Sequence, residues 1–216
     1  MPTRAPSGSR YAVHARALLH DELLDAAREE MRERRWADIA MADISRAAGV
    51  SRGTLYNQFG SREQFARALV MRETGRLLDT VERTVRANRR SPLAAVQATF
   101  TVFLTAASEN RMFARVLRGE AGELLALLPT HGEPLLQCAA RRLRSVIIDA
   151  WPLVRPADAE LLSEALVRLA FSYAAMPTKP VGRTATSVAA LLGPYVEQVL
   201  SGPAPRARQG RRAEGR

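Results

Sequence analysis

The chain has 216 residues, of which 47% are hydrophobic and 25% charged, values typical of a folded globular protein. Its net charge of +10 favours a polyanionic partner, and its single cysteine, Cys138, excludes an internal disulfide and has no ligand-spaced partners for a structural metal. With no apolar run long enough for a membrane span and no signal segment, the sequence predicts a cytoplasmic protein that makes no use of a membrane.

The N-terminal segment, residues 1–12, is rich in Pro, Ser, Gly and Arg, which predicts a disordered basic arm. Such arms either lie along a DNA groove or stay solvated, and the sequence leaves both open. From about Val13 to Arg34 apolar residues recur at helical spacing, and Trp36 and Ile39 are predicted to fold back onto this helix. Residues 17–51 hold eight acids against five arginines, so the first helix is not predicted to face DNA.

A helix-turn-helix pattern follows within residues 42–59. Gly49 ends a short helix and Ser51 caps the next one, in which Leu55 and Phe59 are spaced for burial. The outward positions of the second helix carry side chains of the types that contact base edges and phosphates: Arg52, Thr54, Tyr56, Asn57 and Gln58. The pattern is typical of a DNA-binding helix-turn-helix, although an ordinary helical hairpin has the same spacing.

The run AGVSRGTLYNQFGSREQF resembles the DNA-binding motif of the tetracycline-repressor (TetR) family of bacterial regulators. In that family an Ala-Gly-Val-Ser turn precedes a Gly-Thr-Leu-Tyr recognition helix, and a Lys/Arg-Glu pair opens the next helix. The resemblance covers about residues 16–70. It implies an all-α protein with an N-terminal three-helix helix-turn-helix DNA-binding domain and a C-terminal helical ligand-binding and dimerisation domain.

The resemblance also implies a homodimer that binds a double-stranded DNA operator. The DNA-binding residues are then expected to be Ser51, Arg52, Thr54, Tyr56, Asn57, Gln58 and Arg62. Among them Arg52, Thr54, Asn57 and Gln58 are candidate base readers, and Tyr56 and Arg62 are candidate phosphate contacts.

Three positions depart from the family pattern. Ala40 stands where Thr or Ser usually caps the second helix, which predicts the loss of a capping bond worth about 0.5–2 kcal/mol, while Asp43 still favours the helix start by its charge. Arg35 replaces a glycine that commonly ends the first helix. Gln58 stands where His is common, a change that bears on the DNA sequence that is read.

Ser61 and Gln64 form a capping box, and the helix that they start is predicted to run to about Val85. After a break at residues 88–92, helices are predicted at about 92–107, 110–128, 133–150, 157–175 and 185–200, with a kink or restart at Pro194. The predicted domains are the basic arm (1–12), the DNA-binding domain (13–60), a connecting helix (61–90), an effector-binding and dimerisation domain (91–201) and a disordered basic tail (202–216).

The region 91–201 is nearly neutral and holds most of the large apolar side chains, which either fill a core or line a ligand cavity. The candidates for a ligand site are Phe103, Phe113, Arg115, His131, Trp151, Tyr173 and Met176. By resemblance, the last two helices are expected to pair with their mates in a dimer through the apolar residues Leu161, Leu162, Leu166, Leu169, Val188, Leu191, Leu192, Val196 and Val199.

The sequence and the resemblance together predict a transcriptional repressor that leaves its operator when a small, largely apolar ligand binds. The alternative is a DNA-binding protein of the same fold that is controlled by a protein partner or by no effector. Catalysis is not predicted, because Cys138 and His131 lie seven residues apart without a third group and no phosphate loop, dinucleotide fingerprint, metal-ligand pair or Ser-centred elbow is present. No cofactor is predicted.

Overall fold

The structure, a computed structural model, describes residues 7–110, 113–114 and 133–200. Every regular element in these ranges is helical, which confirms the all-α class. The helices are α1 (Ser7–Glu33), α2 (Met41–Ala47), α3 (Arg52–Phe59), α4 (Arg62–Ala87), α5 (Pro92–Glu109), α6 (Glu133–Ala150), α7 (Pro156–Ala175) and α8 (Val181–Leu200), with a 3-10 turn at Trp36–Asp38. None of these described helices is both long and apolar enough to cross a membrane.

The largest difference from the predicted boundaries lies at the N-terminus. Helix α1 begins at Ser7, so residues 7–12, predicted to belong to a disordered arm, are helical. The physical reason is that the stretch after Gly8 contains no Pro or Gly and is rich in Ala, Arg and Leu, which are good helix formers. The remainder of the predicted arm, the predicted tail and most of the predicted helix 110–128 lie outside the described residues.

The described residues divide into two compact units. The first is built on residues 7–79, with 105–110, 113–114, 133–135 and 174–176, and the second on 80–104, 136–173 and 177–200. This division differs from the predicted domains in the first half of α4, where Phe65 and Leu69 are completely buried with α1, α2 and α3. That half of α4 is therefore part of the first core and not only a connection.

One hydrophobic cluster holds the first unit together. Leu23 of α1, Ile44 of α2, Leu55 of α3 and Phe65 of α4 are each fully buried in it. The predicted return of the chain onto α1 is confirmed at Trp36 and Ile39, which are 5% and 1% exposed. Phe113, which follows α5 in the sequence, is buried in the same cluster. α3 is thus held from several sides, which fixes the direction of its exposed face.

In the second unit, α5 to α8 each bury an apolar stripe. Four of the nine apolar residues predicted for dimerisation are buried within the protomer, namely Leu162, Leu166, Val188 and Val196, because they fill this core. Leu161 and Leu191 are 58% and 68% exposed. α8 continues through Pro194, so the predicted restart does not occur; buried residues lie on both sides of the proline and hold both halves.

Candidate nucleic-acid interface

The start of α2 is stabilised by Asp43. No side chain caps the helix at Ala40, as the sequence predicts, but the Ala40 N–H donates to Asp43 Oδ2 at 3.1 Å. This hydrogen bond, together with one from Arg34, holds the pKa of the Asp43 carboxyl below its ordinary value. An ionised carboxylate therefore remains in the first turn of α2, where it compensates for the missing cap.

The turn between α2 and α3 has the predicted geometry. Gly49 has a φ of 68°, in the left-handed region that side chains other than glycine rarely adopt. The Thr54 N–H donates to Ser51 Oγ at 3.0 Å, and the two hydroxyl oxygens lie 2.9 Å apart. Ser51 is therefore the N-cap of α3, as predicted, and both hydroxyls stand at the end of the helix whose N–H groups attract anions.

The outer face of α3 consists of polar side chains over a buried apolar face. Leu55 is fully buried and Phe59 nearly so, whereas Arg52, Tyr56 and Asn57 are exposed. Arg52 and Asn57 make no side-chain hydrogen bond within the described part of the chain, which leaves a guanidinium and a carboxamide for contacts with DNA. α3 contains no acidic residue. This face carries the side-chain types that contact base edges in the major groove of DNA.

Gln58 is placed differently from the other candidate base readers. It is half-buried, and its carboxamide pairs with Arg16 of α1: Gln58 Oε1 accepts from Arg16 Nε at 3.2 Å, and Gln58 Nε2 donates to the Arg16 carbonyl at 3.1 Å. A bidentate contact with adenine needs the same amide groups. In this structure Gln58 therefore links α1 to α3, and its role as a base reader stays a prediction.

Arg62, a predicted phosphate contact, is engaged within the protein in this structure. Its two terminal nitrogens donate to the carbonyls of Ile39 and Trp36 at 2.6 and 2.7 Å, and its guanidinium carbon lies 4.3 Å from the centroid of the Trp36 ring. The side chain is turned inward onto these carbonyls, of which that of Trp36 also accepts the Ile39 N–H of the 3-10 turn. Arg62 therefore fastens the turn before α2 to the start of α4.

A charge network that the sequence analysis missed joins α1 to α4. Glu73 is 4% exposed and lies 3.2 Å from Arg76 and 3.3 Å from Arg28, and Asp25 pairs with Arg72 and Arg76 at 2.9 and 3.0 Å. Partial burial acts to raise the pKa of Asp25, but the hydrogen bond from Arg76 and the charge of Arg72 outweigh it, so that pKa is lowered. The acids and arginines that recur on α1 and α4 are the sequence signal from which this network could have been predicted.

The residues predicted to bind a ligand do not all come together. Phe103 packs against Phe171 with ring centroids 5.5 Å apart in the second unit, where Trp151 is buried and Tyr173 half-buried. Phe113 lies in the core of the first unit, and its part in an effector site stays a prediction.

Three further ligand candidates are not supported as a group. Met176 is 68% exposed just after the end of α7, so it does not line a closed site in the described part of the protein. Arg115 and His131 lie outside the described residues. Two polar atoms that the sequence did not single out, Thr99 Oγ1 and Arg144 Nε, are buried without a hydrogen-bond partner among the described residues of the second unit.

Comparison with known proteins gives matches along most of the chain. Residues 23–69 match the family model of bacterial regulatory proteins of the tetR family, and residues 92–194 match that of the bacterial tetracyclin repressor C-terminal domain. The chain is 36% identical over 189 residues to the HTH-type transcriptional regulator AlkX of Mycobacterium tuberculosis, an alignment that covers 87% of this chain and 90% of that protein.

Solved structures share the fold. The TetR family repressor AlkX from Dietzia sp. strain DQ12-45-1b, described as implicated in biodegradation of n-alkanes, matches with a TM-score of 0.70 and 24% identity over 83% of this chain and 98% of that chain. The fatty acid degradation regulator FadR from Bacillus halodurans matches with a TM-score of 0.50 and 16% identity over 88% and 96% of the two chains.

Proposed function

Because the chain belongs to the TetR family of bacterial transcriptional regulators, we propose that it is a homodimeric repressor that leaves its DNA operator when a small, largely apolar ligand binds. The observation that carries the proposal is the exposed polar face of α3, with Arg52 and Asn57 unengaged within the described residues above a buried apolar face. A helix of eight residues contacts few base pairs, so useful specificity requires two half-sites and two copies of the chain.

The dimer interface is proposed to centre on Leu161 and Leu191, the predicted interface leucines that are most exposed in the protomer.

The proposed effector class rests on the aromatic and aliphatic side chains of the second unit. Phe103, Phe171 and Trp151 supply apolar surface, and ligand sites in helical proteins form between helices. The AlkX repressor of known structure is described as implicated in n-alkane biodegradation. A series of straight-chain hydrocarbons and their alcohols and acids is therefore the first set of probes, with aromatic compounds of similar size as the comparison.

The proposal is tested by selecting DNA fragments from a random pool with the purified protein. Enriched fragments are expected to share an inverted repeat, and the affinity for that operator is expected to fall when a probe of the right class is added. If no sequence is enriched, the proposed function is wrong. If an operator is found but no probe weakens binding or raises the melting temperature, the same fold under the control of a protein partner, or of none, becomes the better account.

Replacing Tyr56 by Phe is expected to weaken binding to operator and unrelated DNA equally, by about 0.5–1.5 kcal/mol. The Tyr56 side chain is exposed on α3, and a phenol hydroxyl that donates to a phosphate positions the protein without reading bases. Because the hydroxyl is neutral, the salt dependence of binding should stay unchanged. Fluorescence anisotropy with both DNAs measures the effect, and a loss confined to the operator would assign Tyr56 to base reading.

Replacing Gly75 by Ala in α4 is expected to raise the free energy of unfolding by about 1 kcal/mol, since alanine is the better helix former. A Cβ built at this position meets no atom within 4 Å, so the substitution introduces no clash. We expect it to change ligand-induced release more than DNA affinity, because α4 contributes residues to both units. The matched control is Gly182→Ala in α8, where a Cβ also meets nothing.

The measurement for Gly75 is the ligand affinity with and without operator. Linkage requires that the operator lowers the affinity for the ligand by the same factor as the ligand lowers the affinity for the operator. This factor typically corresponds to a coupling free energy of about 1–3 kcal/mol. Identical ligand affinities in both titrations of the wild-type protein would show that no coupling exists. If Gly182→Ala changed ligand-induced release as much as Gly75→Ala, α4 would have no special part in it.

A further inference from the structure

We propose that Arg16 is a DNA-binding residue, and that Gln58 is the positioning residue that holds its guanidinium beside the end of α3 for a phosphate group of the operator. The inference rests on the proposed function, because it assigns an additional contact to the same DNA. It extends the interface to α1, which the distribution of acids had excluded.

The two hydrogen bonds between Arg16 and Gln58 fix both partners. A carboxamide has one acceptor oxygen and two donor hydrogens, and here the oxygen and one hydrogen are engaged, at 3.2 and 3.1 Å. One bond goes to the side chain of Arg16 and the other to its backbone. Gln58 therefore determines the position of α1 relative to α3 and also the direction of the Arg16 side chain.

The arrangement leaves the functional end of Arg16 available. Only Nε is engaged among the described residues, and the side chain is exposed, so the two terminal nitrogens with their four N–H groups have no partner there. A guanidinium presents these donors in a planar fork that matches a phosphate group. Because the Nε bond already restrains the side chain, less conformational freedom is lost when the fork binds.

A second contact fixes the same stretch of α1. The ring of His20, one helical turn after Arg16, stacks on Phe59 of α3 with centroids 4.6 Å apart. The two contacts join α1 to the last two residues of α3. The place of Arg16 in the fold is therefore fixed by packing as well as by hydrogen bonds.

No acidic residue precedes Asp21 in α1, and α3 has none, so the helical turn that carries Arg16 is free of acids. Residues 7–20 of α1 contain two arginines and no acid, and α3 contains no acid. The eight acids that the sequence analysis counted begin at Asp21, and α1 starts at Ser7, so its first turns precede them. This end of α1 and the outer face of α3 are both suited to a polyanion.

The test compares Arg16→Ala with Arg32→Ala, measured against the selected operator and an unrelated duplex over a range of salt concentrations. Arg32 lies on the same helix, is 72% exposed and pairs with Glu29, so its substitution removes the same charge elsewhere. Arg16→Ala is expected to weaken both DNAs several-fold and to lower the slope of log K against log salt by about one ion per protomer. Arg32→Ala should change neither, and Arg16→Lys should restore the slope.

The role of Gln58 is tested by a double-mutant cycle. Gln58→Ala is expected to weaken both DNAs, and its effect should shrink when Arg16 is already Ala, because Gln58 acts through that side chain. If Arg16→Ala leaves affinity and slope unchanged while the wild-type protein binds its operator, the inference is wrong and the proposed function stands. If Gln58→Ala changes the preferred base sequence, Gln58 is a base reader and the positioning role is wrong. If the wild-type protein selects no DNA, the proposed function fails first.

Discussion

Replacing Arg62 by Ala is expected to lower the free energy of unfolding by about 2–4 kcal/mol, because hydrogen bonds from a charged donor contribute about 1.5–3 kcal/mol each and partial exposure reduces that value. Two such bonds, to the carbonyls of Ile39 and Trp36, and the contact with the Trp36 ring are lost together. The carbonyls that remain are only partly accessible to water. The turn that leads into α2 is then the first part of the DNA-binding region to loosen.

Urea unfolding followed by tryptophan fluorescence measures this effect. The matched control is Arg67→Ala, because Arg67 is exposed on the same helix and its substitution removes an equal charge. Arg62→Lys should give an intermediate value, since an ammonium group cannot reach two carbonyls with a planar fork. A different outcome is that Arg62→Ala and Arg67→Ala have the same free energy of unfolding, while Arg62→Ala lowers the salt dependence of DNA binding. The Arg62 side chain would then turn outward on DNA and contact a phosphate, as the sequence predicts.

Replacing Asn57 by Ala is expected to cost about 1–3 kcal/mol on the selected operator and far less on unrelated DNA, because a carboxamide that pairs with adenine discriminates between bases. Asn57 is exposed on α3 and, unlike Gln58, has no side-chain partner within the described residues. In a dimer the loss occurs at both half-sites. The operator affinity should therefore approach the affinity for unrelated DNA.

Selection from a random pool sharpens this second test. The variant Asn57→Asp keeps the size of the side chain but only accepts hydrogen bonds, so it should favour a base that donates, such as cytosine, at the position read. Tyr56→Phe is the control that should leave the selected sequence intact. Equal losses on both DNAs for Asn57→Ala would place Asn57 at the phosphate backbone.

The parts of the fold that the sequence predicted well are those set by neighbouring residues. Gly49 and Ser51 act within one turn of the chain, and the structure has a positive φ at Gly49 and a capping bond at Ser51. The spacing of apolar residues also predicted both ends of α5, α6 and α7 to within two residues. Local hydrogen bonds and the helical spacing of apolar residues can be predicted from the sequence alone, because neither depends on distant parts of the chain.

The contacts that the sequence did not indicate are made by long side chains whose partners are distant in the sequence. Gln58 meets Arg16 across 42 residues and Arg62 meets Ile39 across 23, and no spacing rule indicates either contact. The sequence predicts Gln58 and Arg62 to be exposed polar residues, because polarity alone does not show which way a flexible side chain turns. The burial of Phe113 in the first core was not predictable for a related reason, since an apolar residue can pack into any core within reach.

The burial of Phe113 limits how this protein can be divided. Its backbone N–H donates to Asn110 Oδ1 at 3.3 Å, and its ring joins the core formed by α1 to α4, although it follows α5 in the chain. A fragment that stops after α4 would lack this side chain, and losing a buried phenylalanine costs about 3–5 kcal/mol, a large share of the stability of a small domain. The core formed by α1 to α4 is therefore not complete by itself: a chimaera that joins these helices to another regulator should include the chain through Ala114.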